Sequence, residues 1–207
     1  MEQSGNYAEN YRKNRPPYII VDSSFLLSGI LDPGLVPKEF LSRCKYLFYY
    51  AGRGVRILPE IRNEIVNLIS PYCFDKNVQR GLRMIKYANN FPLCNHVQEH
   101  DIFKFLSEKI REIGYHLPRS LDKPPLSEND IIFGAYSILK TLKGHVIPAT
   151  CDKLLEESIK EAFKIAHPAL VSRGYRDTSL QIAHSFSELE SILSERKKKN
   201  LSRIIKK

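Results

Sequence analysis

"YIIVDSSFLLSG", residues 18–29, runs from an apolar stretch into an aspartate and two serines. Tyr18-Ile19-Ile20-Val21 is short and β-branched, the composition of a strand buried on both faces. Such a strand seldom closes on a carboxylate without a use for it, and Asp22 closes this one. Outward from it, "VRIL" (55–58) and "HVIPAT" (145–150) read as further strands, the latter unusual in holding Pro148, and "PALVS" (168–172) as a last short one. The spacing predicts helices over 37–52, 59–69 with Pro59 at the first helical position, 76–88, 98–114, 126–144 and 152–166. Strands alternating with helices imply an α/β fold around a parallel sheet. In such sheets the chemistry lies beyond the carboxyl ends of the strands, where both Asp22 and Asp152 fall.

The 207 residues and 43% hydrophobic content suit one domain with a real core. No run approaches the ~20 apolar residues of a membrane span, so no membrane is expected. Residues 1–16 read as a flexible polar arm, neither a secretory signal nor an anchor, ahead of a folded domain over 17–195. Cys44, Cys73, Cys94 and Cys151 form no C-x-x-C pair, which argues against a zinc ribbon and suits a reducing, intracellular compartment. Of the net charge of +9, seven positive charges sit in the tail "RKKKNLSRIIKK" (196–207), so residues 1–195 are close to neutral. Such a tail binds phosphates by releasing counterions, or is a solvated terminal helix, since Leu189, Ile192, Leu193, Leu201, Ile204 and Ile205 keep rough helical spacing.

Each acid near the expected sheet edge has a plain structural reading. Asp22 or its serines cap the next helix, Ser127-Glu128-Asn129-Asp130 fits a capping box, Asp152 is a helix-start acid, and Glu64 is an exposed helical position. Together they read differently. Glu64 lies on the helix after the second strand, with Glu60 one turn earlier on the same face, and Asp130 starts the helix leading to the third. Carboxylates crowded into one pocket repel unless a cation joins them. Oxygen ligands without neighbouring His or Cys favour Mg²⁺ or Mn²⁺ over zinc, and such an ion serves phosphodiester hydrolysis.

Other patterns carry less. "HVQEH" (96–100) matches the inverted zinc-peptidase pattern, yet a histidine pair at a helix start accounts for it and no third ligand follows. "GRG" (52–54) lacks a following G-K-[ST], and Ser23 and Ser24 lack a G-x-S-x-G setting. Tyr46, Phe48, Tyr49 and Tyr50 beside Arg43, Lys45, Arg53 and Arg56 suit helix packing better than base stacking.

"YIIVDSSFLLSG", "ILPEIRNEI", "LSENDIIFGAYSI" and "IPATCDKLL" resemble, in order, the signature segments of PIN-domain ribonucleases, over roughly residues 17–170. The resemblance implies an α/β/α sandwich around a central parallel sheet, and a Mg²⁺- or Mn²⁺-dependent endoribonuclease leaving a 5′-phosphate and a 3′-hydroxyl. It implies Asp22, Asp130 and Asp152 as metal ligands and Glu64 as the fourth acid of the catalytic set, with Ser23, Thr150, Glu128 and Glu60 in support. Beside the shorter toxin-like members, a helical segment at about 75–125 reads as an insertion of the kind found in short protein-only RNase P-like and ribosomal-RNA-processing relatives. Glu128 stands nearest to the extra aspartate of the RNase P-like group, and the zinc ribbon of the rRNA 3′-end endonuclease is absent.

RNA is the expected partner. It would be held by Arg196, Lys197, Lys198, Lys199, Arg203, Lys206 and Lys207 and by Arg12, Lys13 and Arg15 of the arm, which position a backbone without reading sequence. Homodimerisation, and a protein regulator or processing complex, are family expectations; the expected site of action is cytoplasmic or otherwise intracellular, with the nucleus or nucleolus open in a eukaryote. The alternative is a PIN-like RNA- or protein-binding scaffold with little catalysis.

Overall fold

Strand β1 (Tyr18–Val21) is the centre of the molecule, with Ile19, Ile20 and Val21 wholly buried. A computed structural model describes residues 18–30, 32–51, 54–88, 97–117, 125–144 and 146–205, the last ten through their backbone alone. Among the described residues a three-stranded sheet runs β2-β1-β3, with β2 at Val55–Arg56 and β3 at Val146–Ala149. Both pairings with β1 are parallel, Ile19 lying opposite Val55 on one side and Ile147 on the other. The chain is therefore α/β and mostly helical.

The helices are α1 (Ser23–Leu27), α2 (Val36–Ala51), α3 (Pro59–Ile69), α4 (Lys76–Tyr87), α5 (Val97–His116), α6 (Glu128–Lys143), α7 (Lys153–Val171) and α8 (Phe186–Ile205). One hydrophobic core runs through the sheet and these helices; Val78 and Ile85 of α4 and Leu106 and Ile110 of α5 belong to it. The segment expected as an insertion thus divides between two packings, α4 against α2 and α5 against α6 and α7. Glycines permit close approaches between helices. A Cβ on Gly81 would stand 2.5 Å from the Phe40 ring, and one on Gly134 would stand 2.8 Å from Ile110. Cys44, Cys73 and Cys151 are free thiols, and burial pushes the Cys44 thiol up to about 12. Among the described residues no helix is long and apolar enough to cross a membrane.

Two expectations change. The strand at 55–58 pairs only over Val55 and Arg56; Leu58 (φ −65°, ψ 150°), extended as the residue before a proline is, already serves as the N-cap of α3. The strand at 168–172 does not form: α7 continues to Val171 with Pro168 inside it. Buried Ala162, Ala166 and Leu170 recur every four residues, and their packing outweighs one helical hydrogen bond lost near the helix end. Beyond β3, in place of a fourth strand, Ala183 makes a parallel bridge to Ala149.

That bridge also explains Pro148. The Ala183 N–H donates to the Pro148 carbonyl (2.8 Å) and the Thr150 N–H to the Ala183 carbonyl (3.0 Å). Proline's missing amide therefore falls on the outer side of β3, away from β1, where it costs little.

Candidate active site

Asp22 sits one residue past β1, where its N–H donates to the Ala149 carbonyl (3.0 Å) and extends the β1–β3 ladder. It is also the N-cap of α1, its Oδ2 accepting the Ser24 N–H at 3.3 Å. The same oxygen accepts the Ser24 hydroxyl and, at 2.9 Å, the Thr150 hydroxyl. Those hydroxyls stand 3.0 Å apart, and Ser24 Oγ accepts the Cys151 N–H at 3.0 Å. Oδ1 is different: it is buried with no hydrogen-bond partner among the described residues. A buried acceptor left bare costs roughly 1–3 kcal/mol, and more when charged.

The other acids come to the same edge. Glu64 of α3 accepts the Ser23 hydroxyl on Oε1 at 2.6 Å and the Asn129 amide on Oε2 at 3.0 Å. Asp130 completes a capping box, its Oδ2 accepting the Ser127 N–H at 2.7 Å while Ser127 Oγ accepts the Asp130 N–H at 3.2 Å. Asp152 caps α7, its Oδ1 accepting the Leu155 N–H at 3.1 Å, and its own N–H donates to Thr150 Oγ1 at 3.1 Å. Every aspartate thus serves as a helix-start residue, as the plain readings predicted. Each spends one oxygen on its own turn; Asp22 Oδ1, Asp130 Oδ1 and Asp152 Oδ2 keep no hydrogen bond among the described residues.

Their charges are coupled. Burial, opposed by the Ser24 and Thr150 hydrogen bonds and aided by the Asp130 charge, raises Asp22 from 3.8 to about 6. Burial also raises Asp130, aided by the charges of Asp152 and Glu64. Asp22, Asp130, Asp152 and Glu64 therefore lie within electrostatic reach as a chain of like charges. Among the described residues, no three His, Cys, Asp or Glu side chains already form a metal cage. The donors nevertheless fit a hard cation: they are all carboxylate oxygens, and one is a desolvated oxygen without a partner.

No family model, curated protein or solved structure matches this chain. Its site is legible only through its own geometry.

The remaining expected residues fall elsewhere. Glu60 lies in the first turn of α3, one turn from Glu64, and has no hydrogen bond or ion pair among the described residues. Glu128 is exposed and ion-paired with Arg111 at 2.8 Å. Arg12, Lys13 and Arg15, together with the side chains of Arg196, Lys197, Lys198, Lys199, Arg203, Lys206 and Lys207, lie outside the described residues; the backbone through 205 continues α8. Cys94 and His96 also lie outside them. Glu99 of the "HVQEH" motif is buried and paired with Lys140 and Lys143 of α6. Tyr46 packs as expected, its ring edge-on to Phe186 at 5.1 Å and its hydroxyl on Glu190 at 2.6 Å, whereas Tyr49 is exposed.

Two site residues escaped the sequence reading. Ser24 gathers Asp22, Thr150 and the Cys151 amide, and Asn129 holds Glu64. In sequence both look like helix-start residues, and only their long-range partners set them apart.

Proposed function

We propose that this chain is a metal-dependent endoribonuclease with a PIN-like α/β/α sandwich, and that Asp22, Asp130 and Asp152 hold Mg²⁺ or Mn²⁺ with Glu64 beside them. The observation that carries the reading is the unpartnered, buried Asp22 Oδ1 at the carboxyl edge of the parallel sheet. Burial without a partner disfavours the charged carboxylate, and a coordinated cation reverses that penalty.

When bound, such an ion polarises the scissile phosphodiester and lowers the pKa of an attacking water. The chain's own residues hold the acids ready. Ser24 and Thr150 fix Oδ2 of Asp22 and leave Oδ1 directed elsewhere. Ser23 and Asn129 bond both oxygens of Glu64 and set the plane of its carboxylate. Asp22, Asp130 and Asp152 each stand at the start of a helix, where the positive end of its dipole faces this group of acids.

The rival reading is a weakly catalytic scaffold. It draws on the absence of a ready cage among the described residues, since caps alone account for three of the acids.

The deciding experiment is cleavage of an end-labelled mixed RNA pool with Mn²⁺ or Mg²⁺, beside EDTA and the Asp22→Asn, Asp152→Asn double variant. Metal-dependent cuts that vanish in the variant support the nuclease. RNA retained but uncut under every condition supports the scaffold.

A further inference from the structure

Helix α4, "KNVQRGLRMIKY", contains no acid and four cations. Lys76, Arg80 and Arg83 stand at i, i+4 and i+7, on one face of a helix with 3.6 residues per turn, and Lys86 flanks them. All four are exposed. The opposite face, with Val78, Gly81 and Ile85, is buried, and Gly81 lies tight against Phe40 of α2. The stripe is therefore held rigidly outward by a packed helix.

None of the four cations has a hydrogen-bond or ion-pair partner among the described residues. Some exposed bases elsewhere are answered, Arg111 by Glu128, Lys160 by Glu156 and Lys164 by Glu161; others, such as Lys38, Lys104 and Lys153, are unpaired among the described residues but are not gathered four to a helix. Four unanswered like charges over ~15 Å of helix repel one another unless a polyanion lies along them. An exposed aromatic closes the row: Tyr87 is 80% exposed at i+11, on the face of Lys76, Arg80 and Arg83.

The C-terminal end of the stripe abuts α3. Arg62 Nη2 donates to the Ala88 carbonyl at 3.2 Å, tying the end of α4 to the early turns of α3, the helix that carries Glu64. A strand following α4 from Lys76 to Lys86 runs toward that end.

We infer that the exposed face of α4 binds the phosphate backbone of a single-stranded nucleic acid, with Tyr87 stacking on a base. That the strand is RNA rests on the function proposed above; the phosphate track does not. A membrane surface fits less well, because the face that would meet it carries cations and one tyrosine, while the aliphatic residues of the helix are buried in the core or packed against it.

The test is fluorescence-anisotropy binding of a short, mixed-sequence single-stranded RNA to the full chain in EDTA, as a function of salt. In the triple variant Arg80→Gln, Arg83→Gln, Lys86→Gln, affinity at low salt should fall about tenfold or more. The slope of log K against log salt should flatten by ~2, at ~0.7 for each lost phosphate contact. Tyr87→Ala should weaken binding about fivefold or more and leave the slope unchanged. Both variants keep the buried face, so an unchanged circular-dichroism melt is the folding control.

Wild-type affinity and slope in the triple variant overturn the proposal. So does loss of all binding in Lys197→Gln, Lys198→Gln, Lys199→Gln while the α4 variant binds normally, and so does a wild type that binds anionic vesicles but no RNA. Because EDTA removes metal-dependent cleavage, the two proposals fail separately. RNA bound through α4 but never cut removes the nuclease; RNA cut with binding indifferent to α4 removes the track.

Discussion

Ser23 Oγ donates to Glu64 Oε1 across 2.6 Å, joining the turn after β1 to the second turn of α3. With Asn129 donating to the other oxygen of Glu64 at 3.0 Å, one carboxylate gathers three separate segments. Ser23 and Asn129 should then act as a unit. Ser23→Ala should lower stability by ~1 kcal/mol, the usual net value of such a bond. A double-mutant cycle with Asn129→Ala in urea denaturation should show coupling above ~0.5 kcal/mol. Simple additivity would mean that Glu64 is not held by both.

Asp22 should make stability depend on pH in an unusual direction. Its folded pKa of about 6 lies above the ordinary value of 3.8, so the native state binds its proton more tightly than the unfolded chain. The stabilisation is full below the unfolded pKa and is lost as pH rises through the folded one. Without metal, Asp22→Asn should flatten that part of the profile. Above the folded pKa it should be more stable than wild type by on the order of 1–3 kcal/mol. Paired denaturation curves across this range check the sign; a variant less stable at neutral pH contradicts it.

Divalent metal should reverse that ranking. Mn²⁺ at a hundredfold excess over its dissociation constant should stabilise the wild type by ~2.7 kcal/mol. Asp22→Asn, Asp152→Asn should gain little. Thermal melts with and without Mn²⁺ measure this without any RNA, so a missing substrate cannot hide the result. Equal shifts in both proteins would place the bound ion elsewhere.

Gly81→Ala should destabilise, although alanine is the better helix former. The added Cβ would lie 2.5 Å from Cε1 and 2.8 Å from Cδ1 of Phe40, and an aromatic ring has no flexible end to withdraw. Overpacking of ~1–3 kcal/mol should outweigh the ~1 kcal/mol of propensity gained. Chemical denaturation of the single variant decides it. Gly134→Ala is the milder companion, since its nearest neighbour is the mobile Cδ1 of Ile110, at 2.8 Å.

The local elements were legible because their signals act over a few residues. Pro59 opens α3, Ser127 and Asp130 form a capping box, and the apolar periods of α5 and α6 mark helices close to their observed bounds. The run at 168–172 misled because a proline and the β-branched Val171 favour extended chain locally, whereas Leu170 is buried on the helical period of α7. The bridge at Ala183 left no local trace, being a single paired residue without a strand pattern.

By itself the sequence determined a parallel α/β order, the acid at the end of the first strand and the acids at three helix starts, all properties of neighbouring residues. Only the tertiary structure decided which oxygens those acids spend on their caps and which they keep. It alone brought Ser24 and Thr150, 126 positions apart, onto one carboxylate oxygen, and Glu64 to Asn129 across 65. It also aligned the cations of α4 outward by burying the other face of that helix. The physical reason is the same in each case. A hydrogen bond or a desolvated charge depends on what the folded core brings within a few ångströms, and no local spacing encodes that distance.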